Sequence, residues 1–190
     1  GASVNQFAYR YIRTTDNPAI RKVKNFDAVV LPRLAVSFLP VAAFSVRAIV
    51  SKGFSVPTIA ELRPSTGSFY ESLQAEHGWN YEAGIRGALL GNRIQFDVNA
   101  YIFNLANAIV RRTTANGAEY FINAGGTKQK GIEAMLLFVL ARDKQKFISG
   151  CRVGSSVTVN QYRFKNYSVG NENYSGNKLT GVPDKIIVST

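Results

Sequence analysis

The chain has 190 residues, enough for one ordinary domain, and 46% of them are hydrophobic, which excludes a disordered chain. With 23 Lys and Arg against 12 Asp and Glu, the formal net charge is +11, which suits an anionic partner: nucleic acid, phosphate-rich lipid or an acidic ligand. One cysteine, Cys151, excludes an intrachain disulfide, and one histidine, His77, leaves almost no material for a zinc site or a Cys-His catalytic pair.

Strands are predicted over residues 3–12, 26–38, 43–52, 80–89, 93–112, 118–141, 146–164 and 181–190. Between the first two lies a long link, Arg13 to Asn25. Pro32 lacks an N–H and sits inside the second strand, which implies a bulge or a late strand start there. In the third strand Phe44, Val46, Ala48 and Val50 alternate with Ser45, Arg47, Ile49 and Ser51. The link that follows, Lys52 to Gly78, is long for a β connection. Within it Ser68-Phe-Tyr-Glu71 matches a capping box, so a short loop helix is expected there. Tyr81, Ala83 and Ile85 oppose Glu82, Gly84 and Arg86 in the fourth strand.

The clearest signal is Ile94 to Ile102. Ile94, Phe96, Val98, Ala100 and Ile102 share one face, and Gln95, Asp97, Asn99 and Tyr101 share the other. Strict period two over that length is incompatible with an amphipathic helix. Asn116-Gly117, at the next hairpin tip, favours a tight type I′ turn. The longest apolar run, Ala134 to Ala141, is far short of the ~18–20 residues of a membrane helix. It also breaks the alternation, because Met135, Leu137 and Val139 follow Glu133 on its face. Val153, Val157 and Val159 then oppose Arg152, Ser156, Thr158 and Asn160. The chain closes inside an apparent strand, Lys185 to Thr190, and opens on Gly1, so it reads as an excerpt from a longer protein.

The connections alternate in length. Leu39 to Ala42, Leu90 to Asn92 and Arg142 to Gln145 are short, whereas Lys52 to Gly78, the tip at Thr113 to Glu119, and Lys165 to Thr180 are longer. Successive links of a meander lie at opposite ends of its sheet, so one end carries tight turns and the other carries loops. That asymmetry is the signature of an outer-membrane barrel. Most strands reach the ~9–11 residues that cross a bilayer at a tilt, where a soluble sandwich uses strands of about five or six. The expected fold is therefore all-β: an antiparallel up-and-down transmembrane β-barrel segment, about eight strands of a larger barrel. Its apolar face, Ile94 to Ile102, should meet lipid, and Gln95, Asp97 and Asn99 should face the lumen.

Several segments strengthen this reading by resemblance. Ser51-Lys-Gly-Phe-Ser-Val-Pro-Thr58, continued by Ile59-Ala-Glu-Leu62, resembles the S-K/R-G-F-x-x-P-T segment of TonB-dependent outer-membrane receptors. Asn80-Tyr-Glu-Ala-Gly-Ile-Arg-Gly87 and Phe121-Ile-Asn-Ala-Gly-Gly-Thr-Lys-Gln-Lys-Gly-Ile-Glu133 resemble two of their barrel strands. Pro32-Arg33 and Gly176-Asn-Lys-Leu-Thr-Gly-Val-Pro183 are also similar, and all five occur in family order across about residues 26 to 184. The resemblance implies that the strand ending near Ser51 runs outward and opens an external loop. Gly53 would let the chain leave the strand, and Pro57 would forbid further ladder pairing.

It further implies a bacterial outer-membrane location and import of a scarce ligand, a ferric siderophore or ferric citrate, with energy from TonB. Implied partners are outer-membrane lipid and lipopolysaccharide, the TonB complex through a plug region, and the ferric chelate. Family barrels have about 22 strands around a plug and end on an aromatic residue. Residues 1–190 would thus be a partial barrel domain, without the plug and the C-terminal strands.

Candidate ligand-binding residues are few. Arg111 and Arg112, near a predicted external tip, would attract an anionic chelate or lipopolysaccharide phosphates. Trp79 lies at a loop-to-strand junction, where girdle aromatics anchor a barrel. Cys151 reads as a small apolar residue and His77 as an exposed loop residue. No Ser-His-Asp set, phosphate loop or carboxylate pair has a defensible spacing, so neither catalysis nor a metal or cofactor is expected. The competing readings are an oligosaccharide-importing receptor of the same architecture and, in another class, a soluble basic β-protein binding nucleic acid. The second needs aromatic and basic residues interleaved on a wet sheet. The strand 93–102 offers Gln95, Asp97 and Asn99 instead.

Overall fold

The computed structural model describes residues 1–15, 18–142, 150–179 and 181–189. In chain order the first elements are β1 (Ala2–Asn5), β2 (Ala8–Arg13), β3 (Ile20–Asn25), β4 (Val29–Val41), β5 (Phe44–Ser55), α1 (Ile59–Leu62), β6 (Glu76–Leu89) and β7 (Ile94–Ala106). Then come β8 (Ile109–Thr113), β9 (Glu119–Asn123), β10 (Gly126–Arg142), β11 (Gly150–Lys165), β12 (Ser168–Val169), β13 (Glu172–Asn173) and β14 (Lys185–Ser189). One eight-stranded sheet has the order β1-β4-β5-β6-β7-β10-β11-β14. Every neighbour in it is antiparallel. Three separate hairpins, β2–β3, β8–β9 and β12–β13, stand at its loop end.

Directly opposed residues of an antiparallel pair share a face, so the register sorts the whole sheet. One row runs Phe38, Val46, Ile85, Val98, Ala134, Val157, Ile187. The row beside it on the opposite face runs Ser37, Arg47, Gly84, Asn99, Glu133, Thr158, Ile186. Seven strands, each alternating on its own, thus align into one apolar face and one polar face. The apolar face is solvent-open over much of its extent, with Phe38, Val46, Ile85, Phe138 and Ile187 exposed. A soluble domain would bury such a continuous belt.

The belt has the height of a bilayer core. Its turn-end row contains Leu89, Ile94, Phe138 and Val153, and its loop-end row contains Trp79 and Asn104. Ten residues separate Ile94 from Asn104, ~34 Å along a strand. At the usual tilt this is ~26 Å of height, against ~25 Å for the apolar band of an outer-membrane barrel. Aromatics mark both margins: Phe44 and Phe96 at the turn end (ring centroids 6.2 Å apart), and stacked Trp79 and Tyr81 at the loop end (6.3 Å).

The loops are one-sided, as the alternating link lengths require. Ala42-Ala43 joins β4 to β5, and Leu90 to Arg93 joins β6 to β7, with Gly91 and Asn92 both at positive φ. The third expected short turn, Arg142 to Gln145, lies mostly outside the described residues, as do 146–149 of the seventh predicted strand.

Several local expectations are corrected. Gly53 does not end its strand: it pairs with Gly78, and β5 continues to Ser55, stopping just before Pro57. Packing requires glycine at Gly78 alone of this pair: a Cβ there would lie 2.7 Å from the Phe103 ring, whereas one on Gly53 would meet nothing closer than 4.0 Å. Pro32 causes no bulge. It pairs with Ala2, and the β4–β5 ladder begins one residue later, at Arg33, so its missing N–H is harmless. The register shift in β4 falls between Phe38 and Val41 instead.

The two long predicted strands 93–112 and 118–141 each break in two. Asn107 (φ +55°) and Gly125 (φ +62°) take left-handed conformations at the same level. Ala108 and Ala124 N–H groups then bond to Gly125 and Ala108 carbonyls, and β8–β9 leaves the main sheet as its own ribbon. The first predicted strand likewise divides into β1 and β2, and the expected long link from Arg13 is mostly β3. The Asn116-Gly117 tip is not type I′. The Gly117 N–H bonds to the Thr114 carbonyl, and Gly117 alone has φ +82°, giving a three-residue loop ending in a left-handed glycine.

Two predictions follow from this architecture. In a full-length receptor in lipid vesicles, Val98→Arg should destabilise by ~2–4 kcal/mol near the midplane, and Asn99→Arg much less. A larger loss for Asn99→Arg would invert the facing. The 190-residue chain alone, with an open sheet and an exposed apolar belt, should aggregate without detergent. A monodisperse monomer peak with cooperative unfolding would contradict this.

Candidate functional site

Two surfaces offer polar groups to a ligand: the loop end and the polar face. The loop end is built around residues 56–75. Thr58 caps α1, its hydroxyl accepting from the Glu61 N–H while the Glu61 carboxylate accepts from the Thr58 N–H. This capping box replaces the one expected at Ser68 to Glu71, which forms no helix. Leu62 and Leu73 are 0% and 1% exposed and Pro57 is fully buried, so the loop has a small core of its own. That core is why so long a connection is ordered.

Polar contacts tie this loop to the hairpins on either side. Lys22 donates to Glu71 Oε1 at 2.7 Å, and Lys24 donates to the Glu71 carbonyl. The Lys22 ammonium holds the Glu71 carboxyl below its ordinary range. On the other side Ser65 bonds to the Glu119 backbone, and the Asn123 side chain bonds to the Gln74 N–H and carbonyl. Aromatic and guanidinium groups crowd the same end. Tyr70 stacks on Tyr120, Arg63 lies 5.2 Å from the Tyr11 ring, and Tyr167 packs on Phe164 and Tyr174. Glu172 accepts from the Tyr174 hydroxyl and raises that phenol above its ordinary range.

Both arginine candidates are on β8 and both are engaged. Arg111 pairs with Glu119 at 2.8 Å, which offsets its charge, though both side chains stay exposed. Arg112 lies 5.2 Å from the Tyr167 ring and donates to the Ser168 carbonyl. Arg111 and Arg112 are consecutive on β8, so they point to opposite faces of the ribbon. His77 is not a loop residue: it lies within β6, half-buried, opposite Phe54 and Ala106. Trp79 is also inside β6 rather than at its junction. Cys151 is a free thiol, half-buried, opposite Ala141. Among the described residues no group of three or more His, Cys, Asp or Glu is placed to hold a metal.

The polar face carries cross-sheet bridges that periodicity does not reveal. Arg47 on β5 makes a bidentate pair with Asp97 on β7, at 2.5 and 3.2 Å, over the strand between them. The bridge passes Gly84, where a Cβ would lie 2.7 Å from Asn99 Oδ1 and 3.0 Å from Arg47 Nε. Asn99 Oδ1 itself is enclosed and unpartnered among the described residues. Tyr101 on β7 likewise spans Gly131 of β10 to donate to Asn160 at 2.8 Å and to meet Tyr162 Oη at 2.6 Å on β11. Glycine on the middle strand is thus the condition for both bridges. The clue available in sequence was a glycine at a polar-face position of an otherwise regular strand.

A family model described as TonB dependent receptor-like, beta-barrel, matches residues 4–188. The chain belongs to the TonB-dependent receptor family. This family consists of outer-membrane β-barrels that act as transporters. A search of curated proteins gives no match. Among solved structures the chain is similar to the siderophore receptor PirA from Pseudomonas aeruginosa (18% identity, TM-score 0.61). The match covers 88% of this chain and 32% of PirA. It is also similar to the FrpB iron transporter from Neisseria meningitidis (15%, TM-score 0.56), covering 77% of this chain and 22% of that one. A third is the copper transporter OprC (11%, TM-score 0.56), covering 76% and 24%. At such identities the likeness establishes the fold, and this chain spans a third or less of each receptor's length.

The glycine bridges generate a test. In the full-length receptor, Gly84→Val should push apart Arg47, Asn99 and the Val98 carbonyl, costing ~1–3 kcal/mol, as overpacking does. Val98→Ala, on the other face, should leave the Arg47–Asp97 pair intact. Unfolding in lipid vesicles, with a double-mutant cycle between Gly84 and Asp97, checks this. An additive cycle would mean that the bridge is not what Gly84 protects.

Proposed function

We propose that this chain supplies part of the barrel wall and several external loops of an outer-membrane receptor that imports a ferric siderophore, using energy passed through TonB. The observation that carries this reading is the loop end itself. It combines arginines with aromatic faces: Arg112 on Tyr167, Arg63 on Tyr11, and Tyr70 stacked on Tyr120. Cationic and π surfaces together suit an anionic chelate with flat, conjugated ligand arms. Ferric citrate, anionic but without aromatic rings, would use the arginines alone. The lumen and the loop end are both polar, so a ligand captured outside has a wet or plug-lined path inward. In this reading further sequence provides the plug, the TonB-contacting segment and the remaining strands. Arg112 is the favoured ligand contact, and Arg111, neutralised by Glu119, the secondary one.

The test is uptake of radiolabelled iron by iron-starved cells lacking the gene and complemented with the full-length receptor. Aromatic siderophore chelates, ferric citrate and a labelled oligosaccharide would be offered in parallel, with and without TonB. TonB-dependent uptake of an aromatic ferric chelate is expected. Arg112→Ala should weaken its binding by ~1–2 kcal/mol, the range of a partly desolvated cation–π contact. Uptake of the oligosaccharide alone would overturn the iron reading, and TonB-independent uptake would overturn the energy coupling.

A further inference from the structure

The polar face is not uniform around the sheet. Below the loops its charges crowd the sector from β4 to β10: Arg33, Arg47, Glu82, Arg86, Asp97 and Glu133. β11 differs. Its polar-face positions, from Phe164 through Tyr162, Asn160, Thr158 and Ser156 to Gly154, carry no charge, and Arg152 follows only at the turn end. Beyond it β14 adds Ile186 and Val188 to the same face, again uncharged. Two acids border this column. Asp184, whose carbonyl accepts from the Asn160 N–H, is paired with Lys178. Glu133 stands opposite Thr158.

The column begins in the loop-end cluster. Phe164 stacks on Tyr167 with ring centroids 4.6 Å apart, and Arg112 lies against the same Tyr167 ring. Phe164 is opposed to Thr127 on the polar face, so it belongs to both the cluster and the lumen wall. Below it Tyr162 and Asn160 are fixed by the Tyr101 hydroxyl, which reaches them over Gly131. Further down, the Thr158 and Ser156 hydroxyls make no hydrogen bond among the described residues. They line an open lumen-side groove of about 440 Å³, together with Asn99, Glu133 and Met135 among others. From Phe164 to Ser156 the strand runs ~27 Å, with a side chain on this face every ~7 Å. Aromatic faces at the top thus give way to amide and hydroxyl groups below.

We infer that the polar face of β11, from Phe164 down to Ser156, is the wall along which the imported anionic aromatic chelate travels once it leaves Arg112. The inference rests on the import reading above and names the route within it. Continuity is the first argument, because the ring that contacts Arg112 also contacts the first residue of the column. Charge is the second. In the other sector Asp97 occupies Arg47, and Glu82, Asp97 and Glu133 repel an anion. The third is that a transit surface must hold its cargo weakly and at several places, since one tight site would stop it. Spaced neutral hydrogen-bonding groups meet that condition, and fixed ion pairs do not. Glu133 holds the chelate to the β14 side of the column, where Ile186 and Val188 add no charge.

The experiment uses the full-length receptor in iron-starved cells and a radiolabelled ferric catechol complex, with surface binding on ice and uptake on warming measured separately. Ser156→Glu, which puts an acid on the column, should cut uptake by about tenfold and leave surface binding unchanged. Ser45→Glu lies in the same ladder row but on β5, and it should leave both nearly unchanged. Thr158→Val, close in volume and uncharged, should slow uptake with binding retained. Full uptake in Ser156→Glu overturns the proposal. So does an equal loss in Ser45→Glu, which would mean that added charge acts anywhere in the lumen. Unchanged uptake in Thr158→Val overturns it as well, and that variant makes the outcome independent of whether the glutamate folds. A wild-type receptor that neither binds nor imports the complex would sink the import reading and this route with it. Normal wild-type import with an indifferent column would count against the route alone.

Discussion

Everything in this structure depends on the ladder register of six long strands. A β-strand sends alternate side chains to opposite faces, so a slip of one residue would invert every side chain on a strand. Here no slip occurs between β5, β6, β7 and β10, and Val46, Ile85, Val98 and Ala134 fall on one line. The apolar belt and the polar wall are therefore one fact seen from two sides. Hydrocarbon offers no hydrogen-bond partners, so a spanning sheet must satisfy its backbone internally and send polar side chains the other way. The aromatic margins and the bridges on the polar wall inherit their positions from that register.

How much was legible beforehand follows from range. Period-two alternation is local, and it located the six long strands and which residues of each share a face. The alternation of short and long links is a property of neighbouring elements, and it placed the loops at one end. What escaped were features set by two distant residues acting together. Asn107 and Gly125 each look like ordinary strand residues with one permissive neighbour. Only their coincidence at one level turns the continuous pair into a sheet and a separate ribbon. The Thr58–Glu61 box and the Ser68–Glu71 match have equal local merit. Burial of Leu62 beside Leu73 decides for the first. The Arg47–Asp97 and Tyr101–Tyr162 bridges required knowing which glycine lies between which strands.

The two faces differ in how tightly they specify residues. On the belt any apolar side chain of suitable shape serves, because lipid tails adapt. On the polar wall a bridge over Gly84 or Gly131 demands a donor, an acceptor and an empty middle position at once. Loop-end stacking is intermediate: Tyr167 contacts Phe164, Tyr174 and Arg112, so one ring coordinates β8, β11 and the β12–β13 hairpin. Ligand choice in such a receptor is therefore expected to track the loop and wall residues and to leave the belt composition nearly unchanged.

The apolar run from Ala134 to Ala141 fits the same logic once its level is known. Ala134, Leu136 and Phe138 join the belt. Met135 faces Asp97 and Ser156, and Leu137 faces Gln95 and Gly154, on the polar side. Val188 lies next to Ser156 in the Met135 row, and both Met135 and Val188 are exposed. The strand is regularly paired with β7 from Gly126 to Phe138 and with β11 from Gly126 to Val139, so its two-sided apolarity is not a symptom of a misplaced strand. An apolar stripe on the inner face gains nothing from a water-filled lumen. It is favourable only where another apolar surface covers it near the short-turn end. The Tyr101 bridge lies further toward the loops, whereas Asp97 of the Arg47 bridge shares the Met135 row. Toward the turns the inner wall is thus mixed: Met135, Leu137 and Val188 stand among Asp97, Gln95 and Ser156.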